Sequence, residues 1–253
     1  MPVFESPVLG RSAASPGLFF RDGAVEGGGK HPLIKDDAAT SDAETSPRVL
    51  SSPRLMRGFD IAVSAVAIVL LLPFMIAIYA LVRLTSAGPG VFSQKRVGRE
   101  GELFPCLKFR SMVVDAQQQL DKLLSESPEA RLEWNRDQKL RNDPRVTVIG
   151  NFLRKTSLDE LPQLFNVLAG QMSIVGPRPI VQNEIVRYGD RFAAYCSVRP
   201  GLTGLWQMSG RNDVSYAMRV RLDTLYVRRQ SLPLDVAICL RTVPALLNSR
   251  GCY

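Results

Sequence analysis

Two adjacent carboxylates, Asp159 and Glu160, stand in a stretch otherwise dominated by positive charge. Arg154 and Lys155 precede them, Arg178 follows on the stiff turn Gly176-Pro177-Arg178-Pro179, and Lys108 and Arg110 lie upstream in KFRSM. Acids among basic side chains form a donor set for a hard cation and for phosphate oxygens together. Mg²⁺ is often held by one or two carboxylates completed by substrate phosphates, Arg offers a planar fork to a diphosphate, and Lys offers a point charge. A carboxylate can also act as a covalent nucleophile that splits one displacement into two. Phosphoryl transfer asks a protein mainly for positioning and charge neutralisation, so the expected chemistry is at phosphorus.

A structural reading of the same pair competes with this one. Ser157-x-x-Glu160 matches the capping box, in which the Glu side chain only satisfies backbone N–H groups. With Ser157 as cap, Pro162 falls a turn inside the helix; with Asp159 near the cap, it falls in the first turn, where its missing N–H is not needed. In both cases the acids sit at the N-terminus of an apolar helix, where the dipole and free N–H groups attract anions. Each basic residue taken alone reads as a solvated surface charge. Residue types leave cap and catalysis both open.

The chain has 253 residues, enough for one core domain with tails. Its net charge of +8 favours anionic partners. Nucleic acid is not expected, because no recognised binding module accompanies the charge. The single histidine, His31, lies in the N-terminal tail, and Cys106, Cys196, Cys239 and Cys252 show no paired spacing. A zinc site and a Ser-His-Asp arrangement are therefore not expected.

The acids must be positioned by the elements around them. Residues 1–50, rich in Gly, Ser, Ala, Pro and Asp, lack apolar periodicity and are expected to be a disordered tail without a signal peptide. From Ile61 to Val82 the chain carries no charge, about 33 Å of helix against a hydrocarbon core of about 30 Å. Pro73 interrupts this run, and both flanks are basic: Arg48, Arg54 and Arg57 before, Arg83, Lys95, Arg96 and Arg99 after. A spanning helix with basic ends has no preferred orientation. A helix broken at Pro73 that enters one leaflet and returns satisfies both ends, although Pro is also tolerated in spanning helices. Residues 91–110 read as short strands around a turn at Gly98–Gly101, followed by helices over 111–124 and 129–140. Residues 214–229 and 234–247 form amphipathic stretches that suit a bilayer surface or a protein core equally well.

In order and spacing these features resemble the bacterial sugar transferases, the monotopic phosphoglycosyl transferases that start polysaccharide assembly on a polyprenyl phosphate. The resemblance runs from about Arg54 to Leu247. It implies a mixed α/β, mainly helical fold: a membrane-inserted re-entrant helix at 51–84, then a cytosolic catalytic domain at 85–253 with interfacial helices. It implies Asp159 as nucleophile with Glu160 beside it, both holding Mg²⁺, and a phosphate and nucleotide site of Lys108, Arg154, Pro177, Arg178, Pro179 and Arg211. Arg57 and Asp60 match the family at the hairpin base and are expected to pair with each other. The implied partners are a UDP-sugar (galactose or glucose favoured), undecaprenyl phosphate and the bilayer at the cytoplasmic face of a bacterial inner membrane; homo-oligomers stay open. The competing class is a membrane-bound protein that binds lipid or a partner, with the acids as a helix cap.

A re-entrant segment puts residues before Arg57 and after Arg83 in one compartment. Cysteine labelling or reporter fusions at Ser52 and Ser93 should then show the same sidedness, and opposite sidedness would establish a spanning helix. Pro73→Ala restores the hydrogen bond that Pro denies and should shift some molecules toward spanning.

Overall fold

The longest apolar run becomes the longest element. The computed structural model describes residues 52–137, 140, 142–208 and 215–247, and its first helix, α1 (Pro53–Thr85), takes in the whole run. The expected tail at 1–50 and Arg211 lie outside the described residues. Pro73 sits inside α1 and helical backbone continues on both sides of it. The expected interruption is therefore not seen: α1 is one helix from Pro53 to Thr85. Val69 and Leu70, next to the proline, are 73% and 72% exposed, an apolar surface suited to lipid. By length and composition α1 is able to cross a membrane.

Both halves of α1 are fastened to the same unit, residues 42–253. Near its start, Arg57 donates to the carbonyls of Val167 (2.7 Å) and Leu168 (2.9 Å) at the end of α5 (Gln163–Leu168). Asp60 accepts from Ser173 Oγ (2.8 Å) and Ile174 N–H (2.9 Å) on strand β3 (Ser173–Val175). The expected Arg57–Asp60 pair is thus replaced: the cation meets carbonyls at a helix C-terminus, the negative end of its dipole, and the carboxylate meets buried donors. In the second half, Met75, Ile78 and Val82 pack with Phe109 and Leu153, and Arg83 donates to the Gly88 carbonyl at 2.7 Å.

Strands β1 (Val91–Val97) and β2 (Leu103–Phe109) form the expected antiparallel hairpin, Val97 opposite Leu103, around a turn in which Gly101 has φ +79°. Helix α2 (Ala116–Glu126) starts later than Ser111, because Met112 is drawn into a bridge with Val146. The two expected helices part at Ser127, and Pro128 begins the second, α3 (Pro128–Asp137), where its missing N–H is harmless. The stretch VTVIG supplies that bridge and then the start of α4 (Val148–Thr156). After β3 come the short helices α6 (Ile185–Tyr188) and α7 (Phe192–Cys196), and strand β4 (Gly201–Thr203), which pairs with β3 in parallel. Helices α8 (Leu205–Met208), α9 (Tyr216–Arg229) and α10 (Leu232–Leu247) close the described chain.

The main core joins Phe104 and Cys106 of β2, Leu164 and Val167 of α5, Ile174 of β3, Leu222 and Tyr226 of α9, and Ile238 of α10, with Phe59 and Val63 of α1 against it. Of the two readings left open for α9, the packing one is seen in its Val220, Leu222, Tyr226 and Val227, which are buried. Asp235 of α10 is buried as well, bonded to the Tyr226 hydroxyl at 2.8 Å.

Asp60→Ala would leave two buried donors unpaired and should cost roughly 2–4 kcal/mol, read by thermal or denaturant unfolding of the detergent-solubilised protein. Asp60→Asn, which keeps an acceptor oxygen, should cost less.

Candidate active site

The site begins with the end of α4. Thr147 caps this helix, its Oγ1 accepting from Gly150 N–H at 2.9 Å. A side chain at Gly150 would run into the Ser111 backbone, and this close approach lets Arg154 Nε reach Ser111 Oγ at 2.9 Å. The helix stops at Ser157, which has left-handed backbone (φ 58°), an uncommon conformation for a residue with a Cβ. The reversal sends the chain into a single turn, Leu158–Glu160, which presents both acids before α5 starts.

Ser157 makes no side-chain cap bond, and Glu160 points to Lys108 Nζ, 2.6 Å away. The capping box is therefore not formed. The helix that follows has only six residues, so the charge holding these acids comes from side chains and not from a helix end.

Lys108 reaches the acids because β2 is clamped to α5. Asn166, buried on α5, accepts Leu107 N–H through Oδ1 (3.0 Å) and donates through Nδ2 to the Pro105 carbonyl (2.7 Å). Alternation along β2 puts Lys108 on the face of Phe104 and Cys106. From there its Nζ meets Glu160 Oε1 and lies 4.0 Å from Asp159 Oδ2. Arg96 of β1 stands opposite Phe104 and shares that face. Its Nη1 donates to the Pro179 carbonyl at 3.1 Å and its carboxylate neighbour is Glu184 at 3.8 Å.

The Gly176–Pro179 turn is pinned on several sides. Gly176 N–H bonds the Thr203 carbonyl and Gly201 N–H the Pro177 carbonyl, each at 2.8 Å, while Val97 N–H bonds Ile180 O at 2.9 Å. Pro177 is fully buried. A Cβ at Gly201 would collide with the Gly176 backbone, so only glycine allows β4 this close to the turn. Asp223 of α9 accepts the Arg178 backbone N–H and the Tyr188 hydroxyl (2.8 Å); burial pushes its carboxyl up to about 7. Arg178 is thereby aimed from a rigid base, and its charge acts on Glu160.

The two acids are driven apart electrostatically. Asp159, 8% exposed, is pushed up to about 6 chiefly by burial and also by the Glu160 charge, against the pull of Lys108 and Arg154. For Glu160 burial acts upward too, but Lys108, Arg178 and Arg96 hold it below the usual carboxylate range. One acid is firmly ionised and paired; the other is poorly solvated, ionised above pH 6 and short of partners. Paired carboxylates pushed in opposite directions mark a division of labour.

Of the residues expected in the site, Asp159, Glu160, Lys108, Arg154, Pro177, Arg178 and Pro179 come together, while Arg57, Asp60 and Pro73 belong to α1 and its anchors. Arg110, grouped with Lys108 in sequence, is buried elsewhere and donates to the Ser86 carbonyl at 2.7 Å. Sequence reading missed Arg96, Asn166 and Asp223. Only the pairing of β1 with β2 gives away Arg96; the others belong to helices that read as apolar or amphipathic.

The raised value at Asp159 opposes folding. The unfolded chain ionises it near 3.8, the folded chain only near 6, so stability falls as pH rises across that window and stays lowered above it. Asp159→Asn should therefore raise the melting temperature at pH 7.5 by more than at pH 4, measured in the same detergent, while abolishing activity.

A family model described as bacterial sugar transferase matches residues 52–249. The undecaprenyl-phosphate galactose phosphotransferase of Salmonella typhimurium is 52% identical over 203 residues, 80% of this chain and 42% of the relative. The exopolysaccharide production protein ExoY of Rhizobium meliloti is 49% identical over 197 residues, 78% of this chain and 87% of ExoY. The UDP-glucose:undecaprenyl-phosphate glucose-1-phosphate transferase of Escherichia coli is 40% identical over 199 residues, 75% of this chain and 39% of the relative. The chain thus spans less than half the length of the first and third, and most of the second. With a matched segment that takes in α1, the acid pair and the Pro177-Arg178-Pro179 turn, this chain belongs to the bacterial sugar transferase family.

Proposed function

We propose that this protein transfers hexose 1-phosphate from a UDP-hexose to undecaprenyl phosphate, releasing UMP, as the first step of exopolysaccharide or capsule synthesis. Galactose and glucose are the favoured sugars, being those in the names of the relatives. The observation that carries the reading is the acid pair itself: a buried, weakly partnered Asp159 beside a Glu160 neutralised by Lys108, ringed by Arg96, Arg154 and Arg178. A surface built only to hold anions has no use for carboxylates at its centre.

In this mechanism the Asp159 carboxylate attacks the sugar-bearing phosphorus of the UDP-hexose. A Cγ–O–P link forms, the bond from that phosphorus to the bridging oxygen breaks, and UMP leaves with the electron pair. A phosphate oxygen of undecaprenyl phosphate then attacks the same phosphorus and Asp159 departs as carboxylate, leaving undecaprenyl diphosphate-hexose. Dividing the reaction into two displacements at one phosphorus lets a single site serve both substrates. Poor solvation leaves the Asp159 anion reactive, and its value of about 6 keeps it ionised at neutral pH. Glu160 and Lys108 hold the charge balance next to it, while Arg154 and Arg178 neutralise phosphate oxygens.

The donor set also fits Mg²⁺. Asp159 and Glu160 offer two adjacent carboxylates. That suits an ion completed by phosphate oxygens and water rather than by a protein cage. When bound by these two acids, it would supply further charge neutralisation at the diphosphate.

The lipid carrier accounts for α1. An isoprenoid tail stays in the bilayer, so the acids must work at its surface. Both halves of α1 pack on the unit that carries the acids, which supports a helix that bends at Pro73, dips into the cytoplasmic leaflet of the inner membrane and returns.

With a UDP-hexose and Mg²⁺ but no acceptor, wild-type protein should release UMP up to about one equivalent and retain sugar phosphate, followed by mass spectrometry of the intact chain; double-displacement kinetics should follow with acceptor. Asp159→Asn should lose both adduct and turnover. Glu160→Gln should be nearly as damaging, and near-normal activity in that isosteric variant would reduce the pair to a structural feature.

A further inference from the structure

Beyond the residues already placed around the acids, Arg178 and Arg219 share one indole. Their Cζ atoms lie 5.6 and 4.3 Å from the Trp206 ring centroid, and Arg219 is also 5.5 Å from the Tyr216 ring. Neither guanidinium forms an ion pair among the described residues. The two carboxylates whose charge reaches Arg219, Asp223 and Glu184, are engaged elsewhere: Asp223 by Tyr188 and the Arg178 backbone, Glu184 by Val181 N–H at 3.0 Å and by Arg96.

Two like charges are thus held together, partly removed from water, by a shared aromatic face. Around them, three buried donors have no hydrogen-bond partner among the described residues: Trp206 Nε1, Tyr216 Oη and Arg219 Nε. Buried groups left in that state are costly, and a cluster of them beside two unpaired cations calls for an anionic ligand rich in acceptor oxygens. A diphosphate meets the requirement, with one planar fork for each phosphate. Because the Arg178 charge also acts on Glu160, an anion bound here would lie beside the acid pair.

We infer that Arg219 is a second diphosphate-binding residue of the donor site, acting jointly with Arg178, and that Trp206 is the positioning residue that holds both guanidiniums. The inference rests on the nucleotide-sugar reading above and extends it to a residue outside the motifs that carry the family resemblance. Trp206 orients through its ring face, so a phenylalanine should serve where an aliphatic side chain does not.

The test uses the full chain in detergent or nanodiscs, with UDP binding by calorimetry and steady-state UMP release with both substrates varied. Arg219→Gln, which keeps much of the packing, should raise the UDP-hexose KM and the UDP Kd at least about tenfold, as expected for loss of a charge-assisted bond. The KM for undecaprenyl phosphate should change less than about twofold by the same reasoning, since that contact is not touched. Arg219→Lys should recover little of the loss; Trp206→Phe should retain most donor affinity, and Trp206→Leu should lose it. UDP should raise the melting temperature of wild-type protein and not of Arg219→Gln, a readout that a purely structural arginine would not produce. Unchanged donor KM and UDP Kd in Arg219→Gln, with wild-type turnover intact, would overturn the inference alone. A rise confined to the acceptor KM would reassign Arg219 to the lipid phosphate and also overturn it. Wild-type protein that neither binds UDP nor releases UMP would remove the nucleotide-sugar reading and the inference together.

Discussion

Lys108 and Glu160 meet at 2.6 Å across 52 residues of sequence, and the arrangement of this site depends on that contact. Without the ammonium, two neighbouring carboxylates in a partly buried turn would repel each other, and one of them would take up a proton. With it, Glu160 stays ionised, the local charge is balanced, and Asp159 is left as the less closely partnered acid. The contact in turn requires β2 and the turn before α5 to be in fixed register. Asn166 imposes that register by bonding both Pro105 O and Leu107 N–H, groups on the edge of β2 turned away from β1.

A second constraint is the cost of holding positive charge near more positive charge. Arg96, Arg154, Arg178 and Arg219 all face their neighbours from partly buried positions, and burial works against the charged form of Arg96, Arg154 and Arg219. The protein meets this cost with rigidity. Arg154 is tied to Ser111, Arg96 to the Pro179 carbonyl, and Arg178 rises from a proline-locked turn whose backbone is held by Asp223 and β4. A preorganised cationic surface of this kind needs little rearrangement when phosphate arrives. The same rigidity explains the close backbone contact of Gly176 with Gly201.

Helix α1 links this chemistry to a membrane surface. Its outward side chains are apolar, while Arg57 and Asp60 are turned inward to the carbonyls of α5 and the donors of β3. Since α5 follows directly from the acid-bearing turn, the anchor of the apolar helix and the acid pair are separated by a single short element. A displacement of this helix would therefore be transmitted directly to the acid-bearing turn.

The sequence by itself determined the parts list and the local elements. A charge-free run of membrane length, a hairpin centred on Gly98–Gly101, an acid pair preceded by Arg154 and followed by a Pro-flanked Arg178 are all properties of neighbouring residues, and periodicity and turn chemistry report on neighbours. Tertiary structure decided the partners. Ser157-x-x-Glu160 reads as a capping box because spacing cannot show that Ser157 turns left-handed or that Lys108 competes for the Glu160 side chain. Arg57 and Asp60 are expected to pair with each other from their match to the family, yet each finds its partners more than a hundred residues away. The amphipathic pattern of α9 is equally fit for lipid and for protein, and only the fold shows Leu222 and Tyr226 buried in the main core. Arg96, Asn166 and Arg219 stayed hidden for the same reason: each takes its significance from elements that are distant in the chain and adjacent only in the fold.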